Sequence, residues 1–286
     1  CVMVVSVIGS AAGLHKTVAH LPPVKPPPFS WRAAFADIRE AFSERAFVIF
    51  ACGALAAYIS QGLTFSITQY VNTYVWRFDA TAFRVYPAAL AVSVFIMFLV
   101  VSPLHRRFGK PRTAAFAALF AFAIAYAPYV FYLLGLWPQT GTLTSTATYY
   151  VFVAIGNTCG IVTMISASSM VAEIVEAFQE RTGRRAEGSF YSGNWLVQKC
   201  ATGMGIFISG QIISLAALPA NAQPGEVGEE VLTTMILLYG AVSLVLAVAT
   251  AWFLYRFPIS RADHEARVAA LDKAARGDID ATMTPP

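Results

Sequence analysis

Charge is scarce in this sequence. Only 13% of its 286 residues are Asp, Glu, Lys or Arg, while 57% are hydrophobic. A soluble domain carries about twice that share of charge, so too few ionic groups remain here to cover a solvent-facing surface. The same numbers exclude a disordered chain, which needs low hydrophobicity and high net charge. Cysteine is rare as well. Cys1, Cys52, Cys159 and Cys200 all sit in apolar runs, with neither metal-ligand spacing nor a legible disulfide framework. The histidines, His15, His20, His105 and His264, fall in polar loops or tails. No metal site is expected, and no convergence of His, Ser and Asp points to a membrane enzyme.

What the sequence has is long apolar runs. A membrane-spanning helix needs about 20 predominantly apolar residues. Runs of that size recur at about 46–73, 85–104, 113–136, 147–171, 189–216 and 231–255. The chain therefore reads as an all-α polytopic membrane protein, with a six-helix transmembrane bundle over 46–255. A shorter run, 1–14, stops at His15-Lys16. It is too short to span, and a secretory signal would carry its positive charge before the apolar stretch. It is expected to be the end of a preceding transmembrane helix.

Residues 15–45 make the longest polar stretch between runs. The piece Leu21-Pro22-Pro23-Val24-Lys25-Pro26-Pro27-Pro28 predicts a stiff, extended linker. Ser30 is a candidate N-cap, and Trp31, Phe35, Ile38 and Phe42 then recur on one helical face. An amphipathic helix on the membrane surface fits that pattern, as does a regulatory or partner-binding helix.

The cations map the topology. Lys16, Lys25, Arg32, Arg39 and Arg45 lie in the 15–45 segment, and Arg106, Arg107, Lys110 and Arg112 in the loop 105–112. Arg181, Arg184 and Arg185 lie in the loop 177–188, and five more cations in the tail 256–286. If the six spans alternate, all four regions share one side, and the other side keeps only Arg77 and Arg84. The positive-inside rule makes the rich side, with linker and tail, cytoplasmic. The net charge of +4 is then a topology signal, and no nucleic-acid partner is needed.

One cation remains. Lys199 stands about ten residues, or about 15 Å, into the run 189–216, where a charge costs at least ~2.5–3.5 kcal/mol. Tyr191, Trp195 and Lys199 share one helical face, while Asn194 and Gln198 form a polar pair on a neighbouring one. A lipid-facing helix would not carry so many donors, so this face is expected to look into a cavity or toward a partner helix. A ring beside amide and ammonium donors suits a sugar, and also an anionic headgroup. A structural polar seam between helices, or a lysine that snorkels, is the plainer alternative.

Three weaker features stand elsewhere. Ser60, Gln61, Thr64, Ser66, Thr68, Gln69 and Asn72 crowd the outer half of the run 46–73, as in a helix lining a water-filled path. Gly156-Asn157-Thr158-Cys159-Gly160 is a small-xxx-small pattern that permits close helix packing, and Asn157 is placed to reach a cavity. Glu173 and Glu176 end the run 147–171. They face the basic loops, where pairing with Arg106, Arg107, Arg184 or Arg185 would latch the cytoplasmic side. Exposed pairs are worth under ~1 kcal/mol, so only a shielded network would gate.

Two stretches resemble known motifs. Arg106-Arg107-Phe108-Gly109-Lys110-Pro111-Arg112 resembles the basic, glycine-containing loop of the major facilitator superfamily. Glu173 and Glu176, the loop Thr182-Gly183-Arg184-Arg185-Ala186-Glu187-Gly188, and then Lys199 resemble the melibiose-permease-like glycoside–pentoside–hexuronide:cation symporter family. The tail from Tyr255-Arg256-Phe257-Pro258 is similar as well, so the resemblance covers essentially the whole chain. It implies that this is the C-terminal half of a twelve-helix transporter, with 15–45 the cytoplasmic linker between halves.

The resemblance further implies a substrate held between the two halves near the midplane, with alternating access by rocking. Lys199 would line that cavity with Trp195, Asn194, Gln198 and Tyr191 nearby, and Glu173, Glu176, Arg106, Arg107, Arg184 and Arg185 would form the cytoplasmic gate. The coupling cation, sodium or proton, would bind carboxylates of the N-terminal half, and no other cofactor is expected. Sugar:cation symport in the cell membrane leads. A lipid or lysophospholipid carrier is the alternative, marked by a lateral opening and an apolar cleft. A structural or sensory protein would have no need of Lys199.

Overall fold

Helix boundaries follow the apolar runs and the residues that punctuate them. A computed structural model describes residues 2–18, Ser30, Arg32, Phe35, Arg39, 42–183 and 187–258. Among them are seven α-helices and no strand: α1 (Val2–Val18), α2 (Arg45–Tyr74), α3 (Ala80–Phe108), α4 (Lys110–Leu133), α5 (Leu143–Thr182), α6 (Glu187–Leu215) and α7 (Glu229–Tyr255). The proline-rich piece, Trp31 and Ile38 of the amphipathic pattern, Arg184, Arg185 and the tail from residue 259 lie outside the described residues. The chain divides into two units, Cys1–Ala36 and Asp37–Pro286. The first holds α1, which continues past Leu14 to Val18. The second holds the bundle α2–α7.

Local chemistry sets the turns. The Asp79 carboxylate caps α3 by accepting from the Ala82 amide at 2.7 Å, and the Thr142 hydroxyl caps α5 by accepting from the Ser145 amide at 3.3 Å. Gly109 alone separates α3 from α4. Its φ of 76° lies in a region that side chains avoid, and Pro111 stands at the start of α4, where its missing N–H goes unmissed. The loop expected at 105–112 thus shrinks to a single residue. Gly183, at φ 69°, ends α5.

Five helices, α2, α3, α4, α5 and α7, are long and apolar enough to cross a membrane. At 29 residues α6 is about 43 Å long and equally able to reach across, but Asn194, Gln198 and Lys199 lower its hydropathy. In the bundle α2 packs on α6 and α7, α4 on α5 and α7, and α3 on α5.

Glycines set the closest approach. A Cβ on Gly62 would overlap the Thr202 carbonyl oxygen, and one on Gly205 the Ile59 carbonyl oxygen. The α2 and α6 backbones therefore touch, which is how helices without a hydrophobic drive between them gain contact. Outward, Phe95, Leu99, Phe116 and Val245 are exposed, as acyl chains would accept.

Polarity differs between the two ends. The starts of α2, α4 and α6 meet the ends of α3, α5 and α7: Phe47, Phe178, Phe190, Leu254 and Phe257 share one apolar cluster there. Arg45, Arg106, Arg107, Lys110, Arg112, Arg181 and Arg256 gather at this end. The opposite end is aromatic. Trp76, almost fully buried, packs on Tyr149, Trp137 and Tyr129 at centroid distances of 4.7, 5.1 and 5.3 Å.

Candidate functional site

Between these two clusters the bundle leaves a cavity of about 620 Å³. Four helices supply most of its wall. From α2 come Ser60, Gln61, Thr64 and Thr68, from α4 Phe122, Tyr126 and Tyr129, from α5 Phe152, Asn157 and Gly160, and from α7 Tyr239, Ser243 and Thr250. No Asp, Glu, Lys or Arg is among the lining residues. Hydroxyls, amides and ring faces are the chemistry on offer.

The wall is cross-linked by hydrogen bonds. The Thr64 and Tyr239 hydroxyls lie 3.3 Å apart, joining α2 to α7. Tyr126 donates to the Ile236 carbonyl at 2.9 Å, joining α4 to α7. Asn157 Nδ2 donates to Ser93 Oγ at 2.5 Å, and the Thr158 hydroxyl reaches the Ser93 carbonyl at 3.1 Å, joining α5 to α3. Gly156 packs against Ala125, whereas a Cβ on Gly160 would meet nothing within 4 Å. The small-xxx-small pair thus divides its work: the first glycine seats α4 on α5, and the second opens onto the cavity.

The Lys199 face is placed elsewhere. Tyr191, Trp195 and Lys199 form an exposed row on α6, with Lys199 Nζ 5.9 Å from the centroid of the Trp195 ring. Asn194 is half-buried and accepts from the Tyr58 hydroxyl of α2 at 3.3 Å, so it joins the α2–α6 seam. Gln198 is half-buried beside it. No α6 residue is among those lining the cavity.

The chain matches the MFS/sugar transport protein family over residues 1–261. It belongs to that family. No curated protein and no solved structure matches it. The chain is thus a multi-pass membrane protein of a secondary-transporter family.

At the basic end of this transporter the carboxylates take partners of their own. Glu173, 4% exposed, accepts from Lys110 Nζ at 2.6 Å. Arg106, Arg107, Arg184 and Arg185 were the expected partners of Glu173, and the partner is a lysine instead. Because Gly109 reverses the chain in one step, Lys110 becomes the first residue of α4 and reaches Glu173 on the helix packed against it. Arg106 and Arg107 are exposed, and Arg107 lies over the Phe108 ring at 5.4 Å. Glu176 is half-buried, while Arg184 and Arg185 lie outside the described residues. Arg181, read from sequence only as a cation of the loop 177–188, lies at the end of α5 and pairs with Glu44. Also here, His105 Nε2 lies 2.7 Å from Ser166 Oγ.

Sequence reasoning missed the α4 and α7 walls. A pattern was present in α7: Tyr239, Ser243 and Thr250 recur at spacings of four and seven, a polar stripe on an otherwise apolar helix. Phe122, Tyr126 and Tyr129 carry no such mark, because aromatic residues at helical spacing in a membrane span usually pack.

Proposed function

We propose that this protein is the bundle of a sugar:cation symporter, moving a glycoside or pentoside by alternating access. One observation carries the reading. The cavity is sized for a saccharide and lined by hydroxyls, amides and aromatic rings, the groups that bind sugar hydroxyls and cover sugar C–H faces. A lysophospholipid carrier would be marked by a lateral opening and an apolar cleft for acyl chains, whereas the polar groups of this cavity wall are hydroxyls and amides among aromatic rings.

Lys199 is the second element of the proposal. With Trp195, Tyr191, Asn194 and Gln198 it would face a preceding six-helix half across the substrate path. There its ammonium would donate to a substrate hydroxyl or to a carboxylate of that half. An ammonium on the exposed mid-section of a bilayer-crossing helix is too costly to leave in lipid. The coupling ion, sodium or proton, is assigned to carboxylates of that other half. The Lys110–Glu173 pair belongs to the gate region, and the positive-inside rule puts this basic end at the cytoplasmic face of the cell membrane.

Uptake into vesicles holding the full-length transporter tests this, with labelled methyl glycosides and a sodium or proton gradient imposed singly. Accumulation should follow one of the two gradients and collapse in Lys199→Leu. Full uptake by folded Lys199→Leu would remove Lys199 from the mechanism. Absence of uptake under either gradient by folded, unaltered protein would end the symporter reading.

A further inference from the structure

We infer that the cavity contains a subsite for an uncharged glycoside in which Asn157 reads one substrate hydroxyl beside an aromatic platform made by Tyr126, Ser93 and Gly240 being the residues that hold the two in place. The inference rests on the sugar reading above and deepens it.

The orientation of Asn157 follows from counting protons. Ser93 is fully buried, and its hydroxyl donates to the Leu90 carbonyl at 2.5 Å. A hydroxyl has one proton to give. Toward Asn157 the Ser93 oxygen can therefore only accept, and it does so from Nδ2. Turning the amide over would set two acceptors against each other. One Nδ2 hydrogen is thus committed to the α3–α5 seam, which fixes the orientation of the amide. Oδ1 has no partner among the described residues and belongs to a side chain that lines the cavity. A carbonyl oxygen held in this way accepts from a hydroxyl and rejects a group with no proton to donate.

Tyr126 is fixed by different means. Its hydroxyl donates to the Ile236 carbonyl, and its ring stacks on Phe122 at 5.5 Å with planes 12° apart. A Cβ on Gly240 would overlap the hydroxyl end of the ring, so glycine at this position is what lets the ring lie against α7. Tyr129 and Tyr239 pack on the ring as well, at 5.6 and 6.4 Å, and with Phe122 and Tyr126 both in the cavity lining this fixed aromatic wall can take sugar C–H groups at little ordering cost. No charged residue lines the cavity and Lys199 stands outside it, so a hexuronate held at this subsite would have no cation beside its carboxylate. Neutral glycosides are the class that fits.

The test is titration of the full-length transporter in lipid nanodiscs with methyl glycosides of galactose, glucose and xylose, methyl glucuronide, and analogues with single hydroxyls replaced by fluorine. Fluorine keeps the size of a hydroxyl but cannot donate. At least one neutral glycoside should bind more tightly than the glucuronide, and one fluorine replacement should weaken it about tenfold. In Asn157→Ala the parent sugar and that analogue should bind alike. Gly240→Ala, which displaces the ring, should weaken all analogues by a similar factor. If Asn157→Ala does not fold, Asn157→Leu offers the same readout. Unchanged affinity and unchanged fluorine discrimination in both variants would overturn the subsite and leave the sugar reading standing. Failure of the unaltered, folded protein to bind any glycoside would overturn both.

Discussion

Glu173 shows how much one side chain depends on its partner. Its side chain is 5% exposed, while that of Lys110 is 26% exposed, so the carboxylate bears most of the desolvation and the ammonium keeps a route to water. Removing the lysine leaves a buried anion, which costs ~3 kcal/mol or more. Removing the carboxylate leaves an ammonium that can reorient outward. Lys110→Met should therefore lower the melting temperature in detergent more than Glu173→Gln, and the double variant should recover most of the loss. Equal losses from the two single variants would show that the pair is effectively solvated. The pair was not legible in the sequence, because its existence depends on Gly109 turning the chain within one residue. Lys199 was conspicuous in the sequence as a lone ammonium in an apolar run, but it stands on an exposed row of α6 and does not line the cavity. Of the seven polar residues that the sequence sets along α2, Ser60, Gln61, Thr64 and Thr68 line the cavity, while Ser66, Gln69 and Asn72 do not. The aromatic walls from α4 were not legible, because rings are as common in packed seams as in binding sites.

At the scale of elements, the six long helices of the bundle followed from hydropathy, but their ends did not: the run 147–171 became Leu143–Thr182, and the loop expected at 105–112 shrank to Gly109. Helix α6 is the instructive case. Asn194, Gln198 and Lys199 lower its hydropathy, yet the run 189–216 reads as a span, and its length and its seam with α2 place it in the bundle. That seam depends on backbone contact. A methyl group at Gly62 or Gly205 would overlap a carbonyl oxygen of the facing helix. Gly62→Ala and Gly205→Ala should each cost about 1–3 kcal/mol through overpacking, read as a lower melting temperature. Gly203→Ala is the control. It sits on the same helix with nothing within 4 Å of its Cβ, and its melting temperature should stay within error of the parent's. Helix pairing of this kind cannot be read from hydropathy, since a small residue in a span is equally at home facing lipid.

At the scale of the molecule, the bundle sets a basic end against an aromatic end, with an uncharged cavity between them. The charge asymmetry was visible in the sequence as loops rich and poor in arginine. The cavity was not visible, because it arises from four helices that meet only when folded. Its role in transport is the central claim, and Gly160 gives direct access to it. This residue lines the cavity, and a side chain added there projects into open space. Gly160→Phe should therefore fill the path without straining the fold. The decisive measurement is gradient-driven uptake of a labelled methyl glycoside by Gly160→Phe, alongside its melting temperature. Loss of uptake with unchanged melting is the predicted result. Full uptake with unchanged melting would contradict the account, because substrate would then be passing somewhere else.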